Sequence, residues 1–539
     1  MESIEKELLE FIQSFENKVV DLSRELGLAN FDASISGEAN EFKRTAELEL
    51  ELKKVFSNKE DFEKLKKFKA SEEIKNDVLL RELEILFNSF AEYQIDEDLL
   101  KRTVDLSSKI EQTFSTFRAE VNNKKLTDNE IDKILETSKN STELEETWKA
   151  SKQIGKQVSG DVIRLVKLRN EAAKNLGYKN YHQMSLILSE LDPAYMDKLF
   201  DDLDELLQPK FKSLKGDIDN YLSTYYNVKK ESLMPWHYQD KFFQQGPKIY
   251  NLDLDKFYEE ANIEKLTQNY FNGVGLEIDD MLAKSDLYEK EGKYQHAYCT
   301  AIDRDGDVRV LCNITPSYKW MGTMLHEFGH AVYDKYVNPK LPWLLREHAH
   351  IFTTEAIAML FGRFASSPNW IKEMLDISNN IKNKITDDCS NTLKLEQIIF
   401  FRWVQVIYRF EKAMFENPDR ELNSLWWELV EKYQGLKKPE GRNEPDWASK
   451  IHIALYPVYY HNYMMGELLA SQLYFYINEK VLGNSDDQLS SFVNKKEVGE
   501  YLKNLFFSYG SIYKWDKLIK TATGEELSIK HWIKQFANE

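Results

Sequence analysis

The sequence predicts a mainly α-helical protein with one small β-sheet. Three observations carry that. No proline occurs before Pro193 and glycine is sparse over the same stretch, so little there interrupts helical propagation. Strand-like residues around a turn occur once, between Tyr294 and Cys312. Beyond Trp320 the apolar residues recur again at helical spacing.

Taken in order, the N-terminal stretch reads as successive long helices with polar outer faces, such as Asp77 to Phe90 and Asp96 to Val121. From Asp192, "DPAYMDKLFDDLDELLQPKF" restarts the periodicity behind an Asp-Pro helix start. "CTAIDRDGDVRVLC" centres on Asp305-Gly306, a two-residue hairpin turn. That register sets Cys299 opposite Cys312, able to pair in an oxidising compartment; two buried free thiols are the expected state. With three cysteines and no CxxC, the chain is not a disulfide scaffold. The helical stretch after Trp320 breaks at Asn338-Pro339 and at "KKPEGRNEPDW", Lys437 to Trp447. No repeat and no Ser/Gly linker divides the chain, so one intertwined unit over residues 1–539 is expected.

Composition narrows the function. The chain has 539 residues, 42% hydrophobic and 13% aromatic, enough for a large core. A net charge of −18 argues against nucleic acid or an anionic membrane as main partner. It does not bear on a small ligand in a buried site. No apolar run is long enough to span a bilayer. The N-terminus, "MESIEKELLEFIQSFENKVVDLSRE", lacks the basic start and apolar centre of a signal peptide. A cytoplasmic location is expected, unless a leader peptide has been removed.

The chemistry sits in "MGTMLHEFGHAVYDKYV". His326 and His330, at i and i+4, share one helix face and present two imidazoles to one point. Two neutral nitrogens at that spacing suit zinc. Glu327, about 100° around the helix, reaches a water on the metal without being a ligand, which is the H-E-x-x-H arrangement of zinc peptidases. Met321, Met324, Leu325, Phe328 and Val332 would bury the helix. A third protein ligand is required. In "LLREHAHIFTTEAIAMLFGRF", Glu355 lies in the first turn of a helix that Thr353 or Thr354 can cap. Glu347 is its competitor, better suited to a structural contact, and His348 and His350 read as lining the site. Zinc would acidify its water and polarise a carbonyl. Glu327 would take the water's proton and deliver it to the leaving amine. Oxyanion donors are sought in "KIHIALYPVYYHNYMMGELLASQL", rich in His and Tyr where a helix begins.

These stretches resemble a known family. "LHEFGHAVYDKYVNPKLPWLLREHAHIFTTEAIA" resembles the zinc helix, loop and third-ligand helix of the angiotensin-converting enzyme family, the peptidyl-dipeptidases A. "LWWELVEKYQGLKKPEGRNEPDWASKIHI" is similar to that family's tract before its transition-state histidine, and "YQHAYCTAIDRDGDVRVLCN" to its substrate strand. "TWKASKQIGKQVSGDVIRLVKLRNEAAKNLGYKNYHQM" is similar to its upstream helices. The likeness runs from Thr147 onward; the first ~140 residues carry less of it. "PVYYHNYMMGELLASQ" more distantly resembles the thimet oligopeptidase and oligoendopeptidase group.

The resemblance implies a two-lobed helical ellipsoid with a deep channel, one zinc per chain at its floor, and N-terminal helices (about 1–140) as a lid. The substrate strand is then about 294–312, the zinc region about 321–365, and a C-terminal helical region about 366–539. His326, His330 and Glu355 match the zinc ligands and Glu327 the base. His452 matches the histidine supporting the tetrahedral intermediate and Tyr463 the oxyanion-stabilising tyrosine. Lys450 and Tyr460 match residues that hold the substrate's C-terminal carboxylate, with Tyr459 an alternative to Tyr460, and Gln244 matches the carboxylate-binding glutamine. His296 and Ala297 match the strand that hydrogen-bonds substrate backbone. Substrates are then short unstructured peptides, and a monomer is expected.

There are departures. The loop between His330 and Glu355 is one residue longer than in the animal enzymes. Met359 stands where the family has an aspartate that orients a zinc histidine, so another partner must serve. Val430 and Asn462 stand at chloride-binding arginines, which puts chloride activation in doubt. The leading reading is a zinc peptidyl-dipeptidase. An oligoendopeptidase of the thimet type and an inactive peptide-binding protein are the alternatives.

Overall fold

The computed structural model describes residues 3–485 and 490–537. The expected C-terminal region about 366–539 contains residues 486–489 and 538–539, which lie outside them. The protein is mainly α-helical, with two two-stranded antiparallel sheets among the described residues. No described helix is long and apolar enough to cross a membrane. Contacts divide the chain into two compact units. One comprises Met1–Gln94, Leu252–Cys389 and Met465–Trp532; the other Ile95–Asn251, Ser390–Met464 and Ile533–Glu539.

In the first unit, helix Ile4–Ser36 buries Leu8, Ile12, Phe15 and Val19, a stripe at 3–4-residue spacing. Phe15 packs against Phe56 and Phe90, at 5.6 and 5.8 Å between ring centroids. The helix ends at Gly37, φ +68°, where a Cβ would lie 2.2 Å from the Gly292 carbonyl oxygen. Helix Ile263–Val274 supplies Tyr270 and Phe271, which pack on Phe361 at 6.0 and 4.9 Å; Phe271 also faces Phe328 at 6.3 Å. This aromatic layer supports both helices that carry the candidate metal ligands.

The expected hairpin is present in this unit as β3 (Tyr298–Ala301) and β4 (Val308–Leu311), numbered after the pair described below. Its register differs from expectation. Cys299 pairs with Val310, not Cys312, and both cysteines are free. Asp303 is the cause: its carboxylate accepts the N–H groups of Asp305 (2.8 Å) and Asp307 (3.0 Å). This makes a longer loop closed by Ile302 N–H to Asp307 O, 2.7 Å, in place of a two-residue turn.

The second unit contains a hairpin that the sequence reading missed, β1 (Ala119–Val121) and β2 (Lys124–Leu126). The helix expected to reach Val121 stops at Thr116. Asn122 and Asn123 turn the chain with φ of 51° and 62°, a conformation asparagine tolerates. Helix Pro193–Tyr226 starts as expected, with Asp192 accepting the Tyr195 N–H at 2.7 Å. Helices Gln153–Asn175 and Asn379–Glu416 meet where Asn170 Nδ2 donates to the Phe415 carbonyl at 2.8 Å.

Candidate active site

The histidine pair lies on helix Tyr318–Lys335, capped by Ser317, whose Oγ accepts the Trp320 N–H at 3.3 Å. Met321, Met324, Leu325, Phe328 and Val332 are wholly buried, so one face is fixed and the histidines point from another. The glycine of H-E-F-G-H has a steric reason. A Cβ on Gly329 would lie 2.7 Å from Ala358 Cα and 3.1 Å from Ile357 O. The helix thus meets helix Ile351–Gly362 backbone to backbone. Gly466 repeats the device: a Cβ there would sit 3.0 Å from Glu355 Cβ. Two bare positions therefore let neighbouring helices close on the ligand cluster.

Glu355 Oε2 lies 3.7 Å from His326 Nε2 and 3.8 Å from His330 Nε2. Those separations exceed a hydrogen bond and let a single ion touch all three groups. Among the described residues, this is the one group of three or more His, Cys, Asp or Glu whose donor atoms lie within 4.8 Å of one another. Burial pushes His326 down to about 4. Burial, with His326 and His348 nearby, holds His330 well below the usual histidine range. Both imidazoles are thus neutral at pH 7, the form that binds metal. Two imidazoles and one carboxylate, leaving a position open, fit a catalytic zinc.

Glu327 is buried beside the pair. Burial and the Glu355 carboxylate push it up to about 8, while a hydrogen bond from the Cys299 backbone N–H pulls the other way. The candidate base is therefore tethered to β3. A cation held by the neighbouring donors would lower it.

Several placements differ from the sequence reading. The N-cap of helix Ile351–Gly362 is His350, whose Nδ1 accepts the Phe352 N–H at 3.2 Å, and Thr353 Oγ1 accepts the His350 N–H at 3.2 Å, completing a capping box in which Thr354 has no part. Thr354 Oγ1 instead lies 2.7 Å from His330 Nδ1. It is the partner that Met359 leaves wanting. The signal was in the sequence, since Thr354 precedes the candidate ligand Glu355, but capping claimed it first. His348 Nδ1 is 3.6 Å from the Asp334 carboxylate. Burial would lower that histidine, but Asp334 raises it above its ordinary value. Glu347 pairs with Arg304 and is half exposed. His296 and Ala297 lie just before β3, with the exposed His296 ring 5.4 Å from Tyr294.

In the second unit, Lys450 Nζ donates to Gln244 Oε1 at 2.8 Å. It is surrounded by the rings of Phe242, Trp403 and Tyr460, at 5.4, 5.6 and 5.5 Å. Burial pushes this ammonium down to about 8, with Asp240 opposing and Lys241 assisting. His452 packs on Tyr460 at 4.9 Å between centroids, and Tyr460 on Tyr463 at 5.6 Å. Tyr459 also packs on Tyr463, at 5.2 Å. Burial, then Lys450, pushes His452 down to about 4. Its Nδ1 is buried with no hydrogen-bond partner among the described residues. Five sequence-predicted residues (Lys450, Gln244, Tyr460, His452 and Tyr463) thus form one cluster.

The family profile described as peptidase family M3 matches residues 134–538. The chain belongs to peptidase family M3. A second profile, angiotensin-converting enzyme, matches residues 2–248 of this M3 peptidase, including the N-terminal stretch that the sequence reading left least clear. The angiotensin-converting enzyme of Theromyzon tessulatum is 24% identical over 473 residues, 80% of this chain and 75% of that protein. That of Sus scrofa is 20% identical over 561 residues, 97% of this chain and 42% of that protein. An inactive angiotensin-converting enzyme-related protein of Caenorhabditis elegans is 20% identical over 436 residues, 74% of this chain and 48% of that protein. The M3 peptidase therefore spans less than half the length of the latter two. Both matched families are zinc-dependent metallopeptidases.

Proposed function

We propose that this chain is a zinc-dependent peptidyl-dipeptidase that hydrolyses short unstructured peptides and releases C-terminal dipeptides. The convergence of His326, His330 and Glu355, with Glu327 beside them, carries the hydrolytic part of this reading. The two imidazoles and the Glu355 carboxylate would hold the metal. When bound, zinc supplies Lewis acidity that polarises a carbonyl and acidifies water. The Glu327 carboxylate accepts a proton from the attacking water and passes it to the leaving amine. His452 and Tyr463 act as donors to the developing oxyanion, roles that rest on position-by-position likeness. The Lys450 ammonium, Gln244 and Tyr460 supply charge-assisted donors for a substrate carboxylate, and this favours the exopeptidase mode.

A second reading, an oligoendopeptidase, is favoured by the extent of the M3 match, which covers the zinc region and everything after it. The inactive relative makes turnover itself part of the test. Metal analysis, turnover of a short quenched peptide and mass spectrometry of its fragments decide together. One equivalent of zinc with dipeptide products supports the proposal. Internal fragments move the protein to the second reading, and peptide binding without turnover to a non-catalytic one. Glu327→Ala should keep zinc and peptide binding while losing most of kcat, because the base acts in the reaction alone.

A further inference from the structure

The segment from His452 to Tyr463 is irregular where it matters most. Short helix Ile451–Leu455 ends at Tyr456, whose N–H donates to the His452 carbonyl at 2.8 Å, and the next residue, Pro457, has no N–H to donate to the later carbonyls. Two charged side chains from other helices of the same unit, half-buried Arg169 and buried Glu411, meet this segment. From helix Gln153–Asn175, Arg169 donates through Nη1 to the Ala454 carbonyl (3.3 Å) and through Nη2 to the Leu455 carbonyl (3.2 Å). From helix Asn379–Glu416, Glu411 Oε2 accepts the Val458 N–H at 3.1 Å. The Asn170 to Phe415 bond fixes those two helices against each other one and four residues away.

Val458 is held in an unusual state. Its φ is +61°, a region that a β-branched residue avoids. Such a conformation persists where surrounding structure over-determines it, and it clusters at functional loops. Glu411 is 2% exposed and its Oε1 has no partner among the described residues. Its one hydrogen bond therefore goes to the strained residue. Burial pushes this carboxyl up to about 8, against the pull of the Val458 N–H and Arg169. Charged or not, it accepts that N–H.

We propose that Arg169 and Glu411 clamp the segment between His452 and Tyr463, with Glu411 a positioning residue that holds Val458 at positive φ and so sets the reach of both donors. The inference rests on the roles proposed for His452 and Tyr463 and goes beyond them, since Arg169 and Glu411 act through the backbone of residues 454–458.

The test pairs peptide kinetics with amide hydrogen exchange over residues 454–463. Glu411→Gln keeps an acceptor and should stay within about threefold of wild type. Glu411→Leu keeps bulk, removes the acceptor, and should lower kcat about tenfold or more. KM and zinc content should hold, while the 454–463 amides exchange faster. Val458→Gly adopts positive φ freely. Added to Glu411→Leu, it should recover at least threefold in kcat. Should Glu411→Leu not fold, Arg169→Met removes the other half of the clamp and is read the same way. Wild-type kcat and unchanged exchange in Glu411→Leu overturn the proposal, as do a loss confined to KM or zinc and an absence of recovery with Val458→Gly. A wild-type protein that cleaves no peptide defeats the assigned function instead, and the exchange arm still decides the clamp.

Discussion

His330 meets two demands at once: its Nε2 faces Glu355 while its Nδ1 meets the Thr354 hydroxyl. One ring nitrogen fixes what the other can offer a metal. Thr354→Val should therefore weaken zinc binding by roughly 10–100-fold, and Glu355→Gln by more than that. Glu347→Gln should leave it unchanged, since Glu347 is paired with Arg304. Competition with a chelator measures all three, and equal loss at Glu347 and Glu355 would reject the ligand set. Lys450 makes a pH prediction. Its buried ammonium is pushed down to about 8, so the charged form exists below that pH and is lost above it. If Lys450 binds a substrate carboxylate, kcat/KM for a free-acid peptide, divided by that for its amide, is flat below about pH 8. It then falls about tenfold per unit above it, since the ratio cancels ionisations shared by both substrates. A ratio flat to pH 10 would separate Lys450 from carboxylate binding.

Helices carry the site through what they lack. Gly329 sits against Ala358 with no room for a methyl group, so Gly329→Ala must part the two ligand helices. Overpacking of this kind costs about 1–3 kcal/mol; the melting temperature and the zinc affinity should drop together. Gly216, inside helix Pro193–Tyr226, has nothing within 4 Å of its would-be Cβ. Gly216→Ala should stabilise by about 0.4–1 kcal/mol, and the opposite signs make the pair a controlled comparison by thermal unfolding. Helix type was legible in the sequence because apolar spacing and the Asp192-Pro193 start are local signals. So was the shared face of His326 and His330; Glu355, expected in the first turn, instead lies just beyond it, because the helix already starts at Ile351. The Asn122-Asn123 turn was missed because its flanking strands are three residues each, too short to show alternation. The β3–β4 register was misread because Asp303 captures two N–H groups downstream, a side-chain effect that a turn dipeptide does not reveal. Arg169 and Glu411 were invisible for a different reason: each acts on residues brought near by tertiary packing.

At the scale of the whole molecule, the proposed function raises the question of which end of a peptide would be read. The chain carries a net charge of −18, so general electrostatics repel an anionic terminus and any preference for one must come from a local cation. Lys450 is the proposed cation, held by Gln244 and ringed by Phe242, Trp403 and Tyr460. A desolvated charge pair is costly to break, on the order of 2–5 kcal/mol. At about 1.4 kcal/mol per factor of ten, C-terminal amidation should lower kcat/KM by roughly 30-fold or more. Lys450→Ala should erase most of that difference by harming the acid far more than the amide. An enzyme that reads internal sequence alone would cut acid and amide alike, and its fragments would vary in length. Dipeptides from the acid, together with slow cleavage of the amide, sustain the peptidyl-dipeptidase. Equal rates with mixed internal products would transfer the M3 peptidase to the oligoendopeptidases, while leaving His326, His330, Glu355 and Glu327 in their assigned roles.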